Sequence, residues 1–468
     1  MKSAAFGVLA HSSSGSAWNN WHLTMQLEAT VDAFVAEWLK NIPPANADRL
    51  WYSDVLKRTH PLGFSSRPFN WINSEGNQLL WSAARLLLQR TGEQRRVSVE
   101  TSRQSIIDAH FSHLEKTRRT GIISEHAIVA GAIKRLSECT RFDGQYVFPI
   151  CFAPSATTTR FRVGPALILS KAEFEREFLS AILAKAKDGE GFDQGAAMEW
   201  QSYSERYDHF LLVDINRHEM TMAWKAARDV AEYVLNLIRI RFGFHHMDDV
   251  RIGNGFVWET SQVTVIFDKN GGANLGLSRG PWGSVLRDDW VNQFDKSLGS
   301  ASRMLASLAA WLASGDDARS PVLERLRYAN SLIAETYSEP HDRIRLVRMV
   351  SALEALASLP RENKAESLAW RCAFAGGRTD CGTATQIVND VRHAYEIRSA
   401  IVHGDPVEDH DVGQAFYRLE RHLAGIYLGF LNLHAKVQRR YKPQHKRHIR
   451  QAFDRHIESF FWMPDEVW

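Results

Sequence analysis

The sequence predicts an α+β chain that is mostly α: an N-terminal helical region, a small mixed α/β segment, and a C-terminal helical bundle. Three observations carry that prediction. Apolar residues recur at helical spacing over most of residues 24–139. The period shortens to that of strands in several runs between Tyr146 and Leu277. From Asp288 onward the helical period returns with few interruptions.

The elements follow in order. Residues 1–20 are rich in Ser, Gly and Asn and read as flexible. Thr24 to Lys40 reads as a helix stopping before Pro43-Pro44, and residues 43–75 as irregular but packed. Helical patterns return at Asn77 to Arg90, Val99 to Arg118 and Ser124 to Cys139. Tyr146 to Phe152 and Phe161 to Ser170 read as a strand pair separated by Ala153-Pro154-Ser155. A helix from Lys171 to Lys187, a strand from His209 to Ile215 and a helix from Glu219 to Phe242 follow. Phe256 to Trp258, Gln262 to Asp268 and Ala273 to Leu277 form an expected meander, turning at Asn270-Gly271-Gly272. Further helices are expected at Trp290 to Ser314, Val322 to Tyr337, Asp342 to Leu359, Ala365 to Phe374, Thr383 to Gly404 and Asp411 to Leu433. The resulting map is a helical region at 1–140, a mixed domain at 141–285, a bundle at 286–435 and a basic arm at 436–468.

Composition excludes several classes. Of 468 residues, 44% are hydrophobic and 24% charged, as in an ordinary globular protein. The net charge of +3 leaves any attraction to nucleic acid to local patches. No apolar run is long enough for a membrane helix, so no membrane partner is expected. Met1-Lys2 and Ala4 to Ala10 mimic a signal peptide but lack a small-x-small cleavage site. Cys139, Cys151, Cys372 and Cys381 lack CxxC spacing and are expected to be reduced in a cytoplasmic protein. No metal and no cofactor are expected. Gly253-Asn254-Gly255 lacks the third glycine of a phosphate loop, and His245 to Asp249 packs its ligand-type residues too tightly for one coordination sphere.

The stretch from Tyr395 to Gly404 carries the chemistry. On a helical wheel Ile387, Val391, Ala394, Ile401 and Val402 share one stripe, and Arg398 lies within about 20° of its centre. A guanidinium in an apolar face needs a carboxylate, a phosphate or a partner subunit. His403 stands about 140° from Arg398 on the same wheel, just before Gly404 and Pro406 end the helix. The upstream helix carries a matching anomaly. Glu354 lies near the stripe of Leu346, Val350, Leu353 and Ala357, so Glu354 and Arg398 are predicted to face each other. Downstream, residues 434–456 hold eight cations against Asp454 alone. Arg439, Arg440, Lys442, Lys446, Arg447 and Arg450 are candidates for RNA phosphates, with Tyr441 able to stack on a base. A solvated helix with a tail is the competing reading, and Phe460 to Met463 are expected to dock on the fold or a second subunit.

Arg398-Ser399-Ala400-Ile401-Val402-His403 fits the R-x4-H motif of HEPN domains, and the longer run from Tyr395 to Gly404 resembles their Apea-like subgroup. The resemblance spans roughly residues 320–435. It implies a HEPN-like helical bundle acting as a metal-independent endoribonuclease, with a composite active site at a homodimer interface. It further implies Arg398 and His403 as catalytic residues, with Tyr395 and Ser399 as helpers. Glu354 enters from the wheel, as the residue holding Arg398.

RNA supplies its own 2′-OH nucleophile. An imidazole is suited to remove its proton and a guanidinium to stabilise the charged transition state. HEPN proteins of this kind occur in bacterial toxin and phage-defence systems, with residues 1–140 then free to sense a trigger or bind an inhibitor. Three alternatives stay open. Arg398 and Glu354 are a structural pair with His403 a helix cap; the bundle is a non-catalytic nucleotide- or RNA-binding module; or the chain is an assembly protein that binds nucleic acid through its basic arm.

Overall fold

The computed structural model describes residues 13–40, 59–61, 71–117, 123–139, 141–151, 160–188, 206–242, 250–253, 262–278, 302–315, 321–339, 341–359, 364–377, 381–440 and 446–461. The chain is mostly helical with a small sheet, and it divides into two compact units. One comprises Met1–Phe142 with Arg217–Ala223 and Gly315–Asp317; the other comprises Asp143–Asn216, Trp224–Ser314 and Ala318–Trp468. The expected border between 285 and 286 therefore does not separate compact units.

The first unit is built on α1 (Ser13–Leu39), α2 (Ser74–Thr91), α3 (Val99–Thr117) and α4 (Glu125–Glu138), with a short antiparallel pair β1 (Thr59–Pro61) and β2 (Trp71–Asn73). α1 begins well before Thr24. Serine favours helix starts as readily as loops, so a Ser-rich stretch alone does not mark a loop. Several helix ends have identifiable caps. Asn73 Oδ1 accepts from the Gly76 amide at 2.7 Å, and Gly92, at φ 69°, closes α2. Ser124 caps α4, and Glu219 Oε2 accepts from the Ser98 amide at 2.7 Å ahead of α3. Leu27, Phe34, Leu80, Leu87, Ile106 and Ile128 fill the core. His110 is fully buried among them, edge-on to Trp38 at 4.5 Å and Phe34 at 5.5 Å. Burial pushes its pKa down to about 4.

The second unit holds the main sheet: β3 (Phe142–Cys151), β4 (Arg160–Val163), β5 (Ala166–Ser170), β6 (His209–His218), β7 (Arg251–Ile252), β8 (Gln262–Asp268) and β9 (Ala273–Ser278). Its order is β4-β5-β6-β3-β8-β9, with β7 also on β3. This corrects the expected strand pair. Phe161 to Ser170 is not one strand beside β3 but a hairpin, β4 against β5, with Val163 opposite Ala166. Its turn is Gly164-Pro165, with Gly164 at φ 59°. A Cβ there would come within 2.6 Å of the Ala306 carbonyl oxygen. Gly-Pro is itself a turn signal, and only the apolar Val163 and Ala166 on either side make the run read as one strand. β8 and β9 pair as expected around Asn270-Gly271-Gly272, where Asp268 Oδ1 accepts from the Asn270 and Gly272 amides. Phe174, Phe210, Leu212, Val265 and Phe267 pack the sheet against α5 (Lys171–Asp188). The expectations at 1–12, 43–58, 62–70, His245 to Asp249, Phe256 to Trp258, residues 290–301, Tyr441, Lys442 and residues 462–468 lie outside the described residues.

Beyond α6 (Met220–Phe242) and α7 (Ser302–Ser314) come α8 (Pro321–Ser338), α9 (Asp342–Ala357), α10 (Lys364–Gly376), α11 (Cys381–His403), α12 (Asp409–Arg440) and α13 (Lys446–Phe461). α8 packs on α9, α10 on α11 and α12, and α9 on both α11 and α12. A Cβ on Gly429 of α12 would strike the Ala375 carbonyl, so glycine lets α10 and α12 approach closely. The region expected as a separate basic arm is, where described, bundle. α12 runs to Arg440, and α13 packs on α10 and α12. Ile449, Ala452 and Phe453 are buried, with Phe453 6.0 Å from Phe430 and the Arg371 guanidinium 4.7 Å above its ring. Their i, i+3, i+4 spacing is an apolar stripe hidden in a composition dominated by charge.

Candidate functional site

Ala384, Ile387, Val388, Val391, Ala394 and Ile397 bury one face of α11. The expected stripe ends early: Ile401 is half-buried and Val402 is 53% exposed. A wheel assigns faces but not the point at which neighbouring helices stop covering them. The final turn closes as a Schellman motif, with the Asp405 amide on the Ala400 carbonyl at 2.9 Å and the Gly404 amide on the Ile401 carbonyl at 3.2 Å. Gly404 adopts the positive φ of 80° that this closure requires.

Arg398 and Glu354 meet as the two wheels predict. Arg398 Nη2 donates to Glu354 Oε2 at 3.4 Å, with the side chains 24% and 16% exposed. Among the described residues Arg398 Nε and Glu354 Oε1 are buried without a hydrogen-bond partner, so the pair is joined at a single long contact. Tyr395 lies one turn back, its ring centroid 5.9 Å from the Arg398 guanidinium carbon. Glu354 stands in the last turn of α9, which Arg325 of α8 anchors by donating to the Ala355 carbonyl at 3.1 Å and the Leu356 carbonyl at 3.0 Å. Ser399 is half-buried beside Arg398.

His403 is exposed, and its ring has no hydrogen-bond or ion-pair partner among the described residues. Backbone amides, not the imidazole, satisfy the helix end. It lies five positions after Arg398, about 7.5 Å along the axis and about 140° around it. One helix does not aim both side chains at one atom. Of the basic candidates, Arg440, Arg447 and Arg450 are exposed on α12 and α13; Arg439 and Lys446 lie on the same two helices.

Three features were not found from the sequence. Asp390 of α11 pairs with His422 of α12 at 2.9 Å, their side chains 8% and 9% exposed, and Arg418 comes to 3.9 Å. The wheel contains this signal, since Asp390 falls about 60° from Ile387, on the apolar side. Both carboxylate oxygens of Glu366 accept from Arg392 Nη2 at 2.9 Å, and Oε1 also accepts from Trp370 Nε1, which holds the carboxyl below the usual range. Last, an open cleft of about 400 Å³ runs between α8 and α9, with Glu354 in its wall and Arg327, Tyr328 and Ser331 along one side. Sequence spacing shows those α8 residues on one face but not what lies opposite.

Among the described residues no three His, Cys, Asp or Glu side chains converge as metal ligands would, and no helix is long and apolar enough to cross a membrane. Compared with known proteins, the chain matches no family model, no curated protein and no solved structure.

Proposed function

We propose that the chain is a metal-independent endoribonuclease of the HEPN type, cleaving RNA by attack of its own 2′-OH, with Arg398 and His403 as the catalytic residues. One observation carries the reading: Arg398 sits on the apolar side of α11, held by Glu354 through one contact and still partly open to solvent. A guanidinium retained there for packing alone would be expected to close a full set of hydrogen bonds. In this reading Arg398 stabilises charge on the phosphorane-like transition state and His403 acts as general base. Tyr395 and Ser399 support them, and the cations of α12 and α13 attract the strand. Because Arg398 and His403 diverge on one helix, a homodimer completes the site by pairing residues from two chains. The reading extends to a toxin or phage-defence effector whose first unit answers a trigger or inhibitor.

The test incubates the purified chain with RNA in excess chelator. Cleavage is expected to leave 2′,3′-cyclic phosphate ends and to stop when the residue before the scissile bond is 2′-deoxy. Cleavage that persists in both Arg398→Ala and His403→Ala removes the proposal. Mixing those two variants tests the dimer, since a site drawing Arg398 from one chain and His403 from the other regains activity in the mixed pair. The cleft beside Glu354 supports a second reading, a non-catalytic nucleotide- or RNA-binding module, which the same assay returns if RNA binds and is never cut.

A further inference from the structure

The cleft between α8 and α9 is a feature that the Arg–His reading leaves unused. Glu324, Arg327, Tyr328 and Ser331 follow one another at i, i+3, i+4 and i+7 and form the face of α8 opposite its buried Leu326, Ala329 and Ile333. Tyr328 is 61% exposed and makes no hydrogen bond or ring contact among the described residues. Arg327 has no ion-pair partner among them. The facing wall holds Glu354, whose charge is already engaged by Arg398. The cleft thus offers an unstacked aromatic ring, a free guanidinium one residue before it, and hydroxyl and carboxylate groups at Ser331 and Glu324. Arg398 lies one side chain beyond the wall. A volume of about 400 Å³ is near the lower end for ligand pockets and suits one nucleoside rather than a stretch of duplex or a peptide helix.

We infer that this cleft seats one base of single-stranded RNA next to the scissile phosphate, stacked on Tyr328, with Arg327 on the adjoining phosphate and the base edge toward Ser331 and Glu324. Unpaired bases are recognised by aromatic stacking combined with contacts to their edges, whereas duplex RNA keeps its base faces hidden. The inference deepens the nuclease reading and rests on it for the position of the scissile phosphate. The same chemistry, a base with its phosphate, is also carried by a free mononucleotide.

The experiment measures binding of the full chain to a labelled, mixed-sequence RNA oligonucleotide carrying 2′-O-methyl groups, which cannot be cut by 2′-OH attack. Tyr328→Ala is expected to weaken binding about tenfold or more, the loss of one stacked base, and Tyr328→Phe to stay within about twofold. Arg327→Ala is expected to flatten the salt dependence by about one phosphate contact. Tyr328 is exposed, so the fold is expected to survive, and a matching thermal melt checks this. Equal affinity in Tyr328→Ala and the parent, or a parent that binds no oligonucleotide, overturns the inference. Tyr328-dependent binding of free mononucleotides without the oligonucleotide also overturns it. Cleavage that needs Arg398 and His403 but not Tyr328 discards the cleft and leaves the nuclease. Tyr328-dependent RNA binding with no cleavage keeps the base seat and discards the nuclease.

Discussion

Two acid–base pairs are anchored on α11 only eight residues apart, and they differ in almost every respect. Asp390–His422 is closed, at 2.9 Å, with both side chains below 10% exposure and Arg418 nearby. Glu354–Arg398 is joined at 3.4 Å, leaves Nε and Oε1 without partners and stays partly open. Removing one side of a buried hydrogen-bonded pair leaves the other polar group without its partner, so the first pair bears on stability. The Arg398 side chain stays 24% exposed beside a carboxylate that holds it through one contact, so the second pair is the one the proposed chemistry uses.

The widest separation between the two pairs is expected in activity. Arg398→Ala and His403→Ala should each lower RNA cleavage by about 10²-fold or more, with an urea midpoint close to the parent's, as read by product formation beside denaturation. Asp390→Ala should do the reverse. It leaves the buried His422 ring without its hydrogen-bond partner and should cost about 1–3 kcal/mol of stability in the same denaturation series. A loss of cleavage without a loss of stability in Asp390→Ala would erase the distinction between the pairs.

A third buried base sharpens the comparison. His110 has no carboxylate of the kind His422 has, and its pKa of about 4 lies below the ordinary 6.5. The unfolded chain therefore binds the proton first as pH falls. The contribution of His110 is complete above about pH 6.5 and declines toward pH 4, by up to about 3 kcal/mol. His110→Phe should flatten denaturation midpoints measured across that window, and an unchanged slope would contradict the burial. The smallest effect is expected from Glu354→Gln. It keeps the shape and one hydrogen-bond acceptor but loses the charge that orients Arg398, so cleavage should fall about tenfold with stability little altered. Stability falling while the rate holds would make Glu354–Arg398 a second structural pair.

Much of the candidate site was legible because two helical wheels each placed one charge of opposite sign on an apolar face. Burial leaves such residues few partners, so Glu354 and Arg398 found each other. The same wheel held Asp390, but nothing local connects it with His422, 32 residues away. Val402 was misplaced because a wheel has no ends, and Tyr328 gained meaning only from the α9 wall across the cleft.

The sequence by itself determined the elements whose causes lie within a few residues. These include the helical periods, the Asp268 to Gly272 turn, the close of α11 at Gly404, and the presence of stray charges on the apolar sides of two helices. Tertiary structure alone decided which strand lies beside β3, that the basic C-terminal helix is packed bundle, and how far from closed the Glu354–Arg398 pair remains. Hydrogen bonds and caps act between neighbours along the chain, so a short window encodes them. Burial and pairing depend on surfaces brought together from distant positions, and only the packed molecule sets their distances.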